Sequence, residues 1–201
     1  KGLPADFAEK APRELWRIKI GGGFGGVTSV GGRVYVMDYS KSPEQERVLC
    51  FEAATGKQVW SQSWPVTYGK MDHGTGPRAS VVIDADGGST LAYALGATGM
   101  ASCFDAGTGK IIWQHDTQKE FSAQISTWGF AASPFIWKDK VILHIAAQPK
   151  GCLLALDKKA GKEIWRTGDD PAGYCTPELI MHAGKPQLIQ WGPEHIQSFN
   201  P

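Results

Sequence analysis

Three stretches of this chain are almost the same eleven residues: CFEAATGKQVW at 50–60, CFDAGTGKIIW at 103–113 and ALDKKAGKEIW at 155–165. Gly56, Gly109 and Gly161 lie 53 and 52 residues apart, and Trp60, Trp113 and Trp165 keep the same separations. A period of this kind restricts the chain to repeat architectures, in which each unit is one supersecondary element that buries its apolar faces only against its neighbours. A Gly- or Pro-punctuated apolar run precedes each copy: GGVTSVGGRVYVMD, GPRASVVIDADGGSTLAYAL and AASPFIWKDKVILHIA. A fourth such run, CTPELIMHAGKPQLIQW, follows the last copy.

The motif reads as a β-hairpin. Its Gly takes the left-handed position of a turn closed by a bulge, where a Cβ would be strained. Its acid, Glu52, Asp105 or Asp157, accepts from turn amides, and its Trp sits on the outgoing strand as packing across the joint between units. Upstream, two apolar or alternating runs flank a turn signal in every unit, which gives four antiparallel strands per unit. Four strands in about 50 residues is the size of a propeller blade. The chain is therefore expected to be all-β, a propeller of four-stranded antiparallel blades.

Composition removes several alternatives. With 21 basic and 20 acidic residues interspersed and a formal net charge of +1, there is no electrostatic footprint for nucleic acid or an anionic membrane. No apolar run approaches the ~18 residues of a membrane span, so the chain is not expected to be transmembrane. GGGFGG at 21–26 is followed by no helix and so lacks the amide-rich start that binds phosphate. DADGG at 84–88 opens like a calcium loop but lacks the bidentate Glu and is expected to be a hairpin turn. The five His show no zinc spacing and no catalytic triad is recognisable, so neither a metal site nor catalytic residues are assigned. Cys50 and Cys103 are expected to be reduced and buried, and a Cys152–Cys175 bridge is left open.

Cys50/Glu52/Thr55/Gly56/Trp60, Cys103/Asp105/Thr108/Gly109/Trp113 and Ala155/Asp157/Gly161/Trp165 resemble the Ala-x-Asp-x-x-Thr-Gly-x-x-x-Trp signature of the pyrroloquinoline-quinone-type (PQQ-like) β-propeller repeat. Cys for Ala, Glu52 for Asp and Ala160 for Thr are its departures. The resemblance runs from Glu14 onward and is closest to secreted or periplasmic bacterial proteins, which implies that localisation. Such propellers close with about seven or eight blades, so this chain is expected to be a partial ring of about four. Residues 1–13 would be an N-terminal extension and 14–20 the outer strand of a closing blade. Blades would span 21–64, 65–117 and 118–167, and 168–201 would be an incomplete blade. The remaining blades would come from another segment or a second copy of the chain.

Strand direction puts the long loops on one face: 63–78, 116–130 and 166–174, joined by DYSKSPEQER at 38–47. Loops on a rigid scaffold concentrate binding residues. The candidate channel-mouth ligand residues are accordingly Phe24, Asp72, His73, Arg78, Trp128, Phe130, Asp169, Asp170 and Tyr174, suited to a small molecule or a peptide. Plainer roles are open to each: Arg78 tying loop carbonyls, Trp128 plugging the channel, Asp169 and Asp170 capping a turn. The resemblance implies either a non-catalytic binding or scaffold domain without cofactor, or a fragment of a PQQ-dependent dehydrogenase carrying PQQ and Ca²⁺. The second reading needs adjacent cysteines, which Cys50, Cys103, Cys152 and Cys175 cannot supply, and a stacking Trp, for which Trp128 is the candidate.

Overall fold

The computed structural model describes residues 12–69, 71–72, 74–85 and 88–201. Most of the expected extension 1–13, and His73 among the candidate residues, lie outside them. The described strands form three four-stranded antiparallel sheets and a three-stranded one, in chain order. The first holds β1 (Thr28–Val30), β2 (Arg33–Lys41), β3 (Glu44–Glu52) and β4 (Gln58–Pro65). The second holds β5 (Val82–Asp84), β6 (Leu91–Leu95), β7 (Met100–Asp105) and β8 (Ile111–Asp116). The third holds β9 (Phe135–Trp137), β10 (Lys140–Ala147), β11 (Gly151–Asp157) and β12 (Glu163–Thr167), and the last β13 (Glu178–His182), β14 (Lys185–Trp191) and β15 (Ile196–Phe199). This is the all-β, partial PQQ-like propeller that the repeat implies.

Each motif forms the hairpin expected of it. Gly56, Gly109 and Gly161 have φ of 73°, 75° and 70°, and the register shifts by a bulge beside each turn. Asp105 Oδ1 accepts from the Thr108 amide at 2.8 Å and Asp157 Oδ1 from Ala160 at 2.6 Å. Glu52, one methylene longer, accepts from the Thr55 hydroxyl at 2.8 Å.

The small first residue of the motif has a steric cause. Cys50 pairs with Tyr35 on one side and Trp60 on the other, and Cys103 likewise with Tyr93 and Trp113. Directly opposed residues share a sheet face, so a larger residue would hold the rings apart; Tyr35 and Trp60 are instead 6.0 Å apart, and Tyr93 and Trp113 6.1 Å. In the third sheet Ile142, Ala155 and Trp165 form the corresponding row.

That row faces the next sheet. Trp60 lies on the Gly109 turn, 2.6 Å from where a Cβ would stand, and Trp113 lies on Gly161 at 2.7 Å. Trp60 Nε1 donates to Ala106 O at 2.9 Å and Trp113 Nε1 to Lys158 O at 3.1 Å. Trp16 does the same to the first sheet, over Gly56 with Nε1 on Ala53 O at 2.8 Å. Residues 14–20 form no strand within the described chain, yet they carry the repeat's indole. Apolar cores fill the joints between successive sheets, around Tyr35, Trp60 and Phe104, around Tyr93, Trp113 and Leu143, and around Ile142, Leu153 and Leu188.

A second interblade series runs through the inner strands. The Gly26 amide donates to Ser80 Oγ, the Ser80 amide to Ser133 Oγ and the Ser133 amide to Thr176 Oγ1, each at 2.9 Å. These residues stand just ahead of β1, β5, β9 and β13, so each inner strand begins by bonding to the next.

Two segments differ from expectation. DYSKSPEQER, read as a long loop, is the paired end of β2 and β3, with Asp38 opposite Arg47 and Lys41 opposite Glu44. Its polar residues sit in strands because they are satisfied there: Arg47 makes a bidentate contact with buried Asp38 at 2.8 and 2.6 Å. The loop after β8 contains one helical turn, α1 (Thr117–Phe121), capped by the Asp116 carboxylate. All four cysteines are free, with Cys50, Cys103 and Cys152 buried and Cys175 exposed, so the Cys152–Cys175 bridge is not formed.

Candidate functional site

The loops that leave β4, β8 and β12 and enter the next inner strand lie on one face and are joined to each other. The Asp72 amide donates to Thr127 O at 3.2 Å, and Trp128 stacks on Tyr174 with ring centroids 5.0 Å apart and 26° between planes. Along this rim the candidate residues fall into two groups.

Around Arg78 the cation is held mainly by main-chain oxygens. It donates to Gly76 O, to Gly74 O at 2.8 Å and to Asp72 O at 3.4 Å, and its guanidinium stands 5.3 Å over the Phe24 ring and 5.6 Å over Tyr68. Phe24 is 53% exposed, and the Asp72 side chain is also exposed. Beneath them lies Glu46, fully buried, accepting from Tyr68 OH at 2.6 Å, the Ala97 amide at 3.0 Å and Trp64 Nε1 at 3.1 Å. Burial raises its carboxyl above the ordinary value despite these donors. Glu46 binds the first sheet to the turn between β6 and β7.

The second group centres on Tyr174. It is 37% exposed and its stacked partner Trp128 48% exposed. Beside Tyr174 opens a cavity of about 230 Å³ lined by Gly173, Tyr174, Cys175, Trp191, Gly192 and Pro193. Asp170 lies behind Gly192, its Oδ1 2.6 Å from His195 Nδ1 and its Oδ2 accepting the His195 amide at 3.0 Å. Burial would raise the Asp170 carboxyl, but the His195 hydrogen bonds outweigh it and the net shift is downward; the same bond raises His195. Behind Gly173, buried His144 takes hydrogen bonds on Nε2 from the Gly173 amide at 3.1 Å and from Gln190 Nε2 at 3.0 Å, while Nδ1 faces Cys175 O at 3.2 Å. A carbonyl partner requires the proton on Nδ1, and burial lowers the pKa of this ring.

Two candidates are not rim residues. Phe130 is fully buried in the core between the second and third sheets, because its amide is tied to Ala97 O at 2.8 Å and its ring covers Gly99. Asp170 is buried as the cap of the β14–β15 turn, while Asp169 beside it is exposed. Trp191, Glu194 and His195, which complete the second group, were legible only as a Trp-Gly-Pro-Glu-His run at a strand end. A larger groove, about 530 Å³, runs by Lys185, Pro186, Gln187 and Ser198 at the opposite end of the last sheet, away from the rim.

The residues present do not fit the quinone. One face of Trp128 is covered by Tyr174, and the cysteines lie singly in different elements. Asp170, Glu194 and His195 offer three ligand atoms within 4.8 Å of one another, but both Asp170 oxygens already accept from His195. Among the described residues no helix is long and apolar enough to cross a membrane.

A family model described as outer membrane protein assembly factor BamB matches residues 5–168. Among solved structures, BamB from Moraxella catarrhalis is similar over 87% of this chain and 48% of its own, at 18% identity and a TM-score of 0.52. Quinohemoprotein alcohol dehydrogenase from Comamonas testosteroni is similar over 73% of this chain and 21% of its own, at 22% identity and a TM-score of 0.51. The corresponding enzyme from Pseudomonas putida HK5 gives 20% identity and 0.51 over 73% and 20% of the two chains. This chain thus spans about half or less of each of these proteins, and the likeness is one of fold. No curated protein matches the chain.

Proposed function

The chain belongs to the family described as outer membrane protein assembly factor BamB, and on that premise we propose that it is a non-catalytic propeller module that binds a partner at the channel mouth. The observation that carries this reading is the rim itself. Half-exposed Trp128, Tyr174 and Phe24 are held in place by stacking and by Arg78, whereas the buried carboxylates Glu46 and Asp170 are consumed in holding loops together. A surface with rigid aromatic anchors and saturated acids is built for contact more than for proton transfer. The family description supports a place in the cell envelope, periplasmic or secreted, and an assembly role. The remaining blades of the ring are supplied by a further segment or by a second copy. The alternative, a piece of a PQQ-dependent dehydrogenase, draws on fold likeness to the alcohol dehydrogenases.

A photo-crosslinking amino acid at exposed Thr127 is expected to capture a discrete envelope polypeptide, while the same group at Lys57, on the opposite face, captures none. Equal capture from both positions overturns the reading. So does alcohol oxidation that appears when PQQ and Ca²⁺ are supplied.

A further inference from the structure

The joint between the second and third sheets carries a titratable side chain at a place where its counterparts carry none. His115 stands two residues beyond Trp113 on β8; the same place holds Gln62 after Trp60 and Thr167 after Trp165. The ring packs against Trp113 and Phe121, with centroids 5.5 Å from each, and its side chain is 20% exposed. Both of its nitrogens face oxygen atoms that only accept. Nδ1 is 2.6 Å from Glu120 Oε2 on α1, and Nε2 is 2.9 Å from Gly161 O, in the motif turn of the third sheet. The other oxygen of Glu120 takes the Asp116 amide at 2.9 Å, so this carboxylate is an acceptor on both sides.

A neutral imidazole has one N–H and cannot serve two acceptors, whereas an imidazolium has two and serves both. When one proton leaves, the remaining one stays with the carboxylate, the stronger acceptor, and the Nε2 lone pair is left pointing at the Gly161 carbonyl. The neighbouring charges are engaged elsewhere. On the second sheet's side Asp116 is paired with Lys119. On the third sheet's side Lys158 is paired with Asp84, and Arg166 is paired with Glu163 while it stands 5.8 Å over Phe121. Asp157 Oδ1 is occupied by the Lys159 and Ala160 amides, and Lys159 and Lys162 are exposed.

We propose that His115 is a proton-operated clasp between blades. With both nitrogens protonated it ties α1 to the turn on which Trp113 rests. As pH rises and the ring gives up one proton, the Gly161 contact opens while the Glu120 contact stays. α1 begins the loop that carries Trp128, so the clasp sets how firmly that side of the rim is held to the next blade. The clasp operates whether or not the mouth holds a partner.

The test follows the purified protein by NMR between about pH 5.5 and about pH 8, the range in which histidine changes charge. The Trp113 indole N–H, bonded to Lys158 O, reports the clasped joint. The Trp60 indole N–H, bonded to Ala106 O, reports a joint with Gln62 in place of the histidine. Protection of the Trp113 proton, corrected for the intrinsic exchange rate, is expected to fall about fivefold across this range, the equivalent of one hydrogen bond, while that of the Trp60 proton holds. Ring-nitrogen spectra should show both nitrogens of His115 protonated at the lower pH and Nδ1 alone at the higher, the reverse of the tautomer that free histidine prefers. In His115→Gln the Trp113 protection should lose its pH dependence. A parallel change at Trp60 and Trp113, a neutral ring protonated on Nε2, or an unchanged pH dependence in His115→Gln overturns the proposal. If the variant does not fold, the two wild-type readouts decide.

Discussion

The carbonyl of Ala106 accepts two donors from the preceding sheet, Trp60 Nε1 at 2.9 Å and Tyr35 OH at 3.2 Å; Lys158 O accepts Trp113 Nε1 at 3.1 Å and Tyr93 OH at 3.0 Å. Both lone pairs of one oxygen are thereby used, which places each indole by hydrogen bonding as well as by packing. Removing one donor should cost less than removing the ring: Tyr35→Phe about 1 kcal/mol of unfolding free energy, Trp60→Ala about 3–5 kcal/mol, read from urea denaturation. The two histidines of the last blades give opposite pH signs. His144 has a pKa below the ordinary 6.5, so its contribution is full above that value and is lost as pH falls beneath it. His195, raised by Asp170, contributes fully below 6.5 and loses that contribution as pH rises through its raised pKa. Acidification from about pH 7.5 to about pH 5.5 should therefore lower the melting temperature of the wild type more than that of His144→Gln; an equal drop would contradict the assignment. None of this was visible in the sequence beyond the Trp positions, because burial of His144 and Glu46 depends on which loops close over them.

At the scale of elements, the hairpin was legible because its Gly, acid and Trp are local requirements of one turn, and local chemistry repeats visibly. The paired end of β2 and β3 was not, since Asp38, Glu46 and Arg47 look like loop residues until their partners are known. The rim was half legible: Trp128, Tyr174, Phe24 and Arg78 were found from loop position, whereas Phe130 turned inward to fill a joint. The hydroxyl series was hidden in plain small residues, Gly26, Ser80, Ser133 and Thr176. It makes a definite prediction. Ser133→Ala removes the acceptor of the Ser80 amide, which should cost about 1 kcal/mol and raise exchange of that one amide about fivefold without altering the Gly26 amide. Hydrogen exchange followed by NMR reads both.

For the whole molecule, the interblade bonds and apolar cores among the described residues join sheets that are neighbours in sequence, so stability should propagate as in a linear array. Trp113→Ala, at the joint between the second and third sheets, is expected to uncouple β9–β15 from β1–β8. Amides of the last two sheets would then exchange faster than those of the first two, and uniform acceleration would show a cooperative unit instead. The indole-on-glycine joint has one more consequence. Since Trp16, Trp60 and Trp113 dock through the same contacts, the coupling does not record which unit it joins. Excision of one whole period would bring Trp60 onto the Gly161 turn and leave a sound seam, so ancestors of such a chain could lengthen or shorten by single repeats without inventing a new fit.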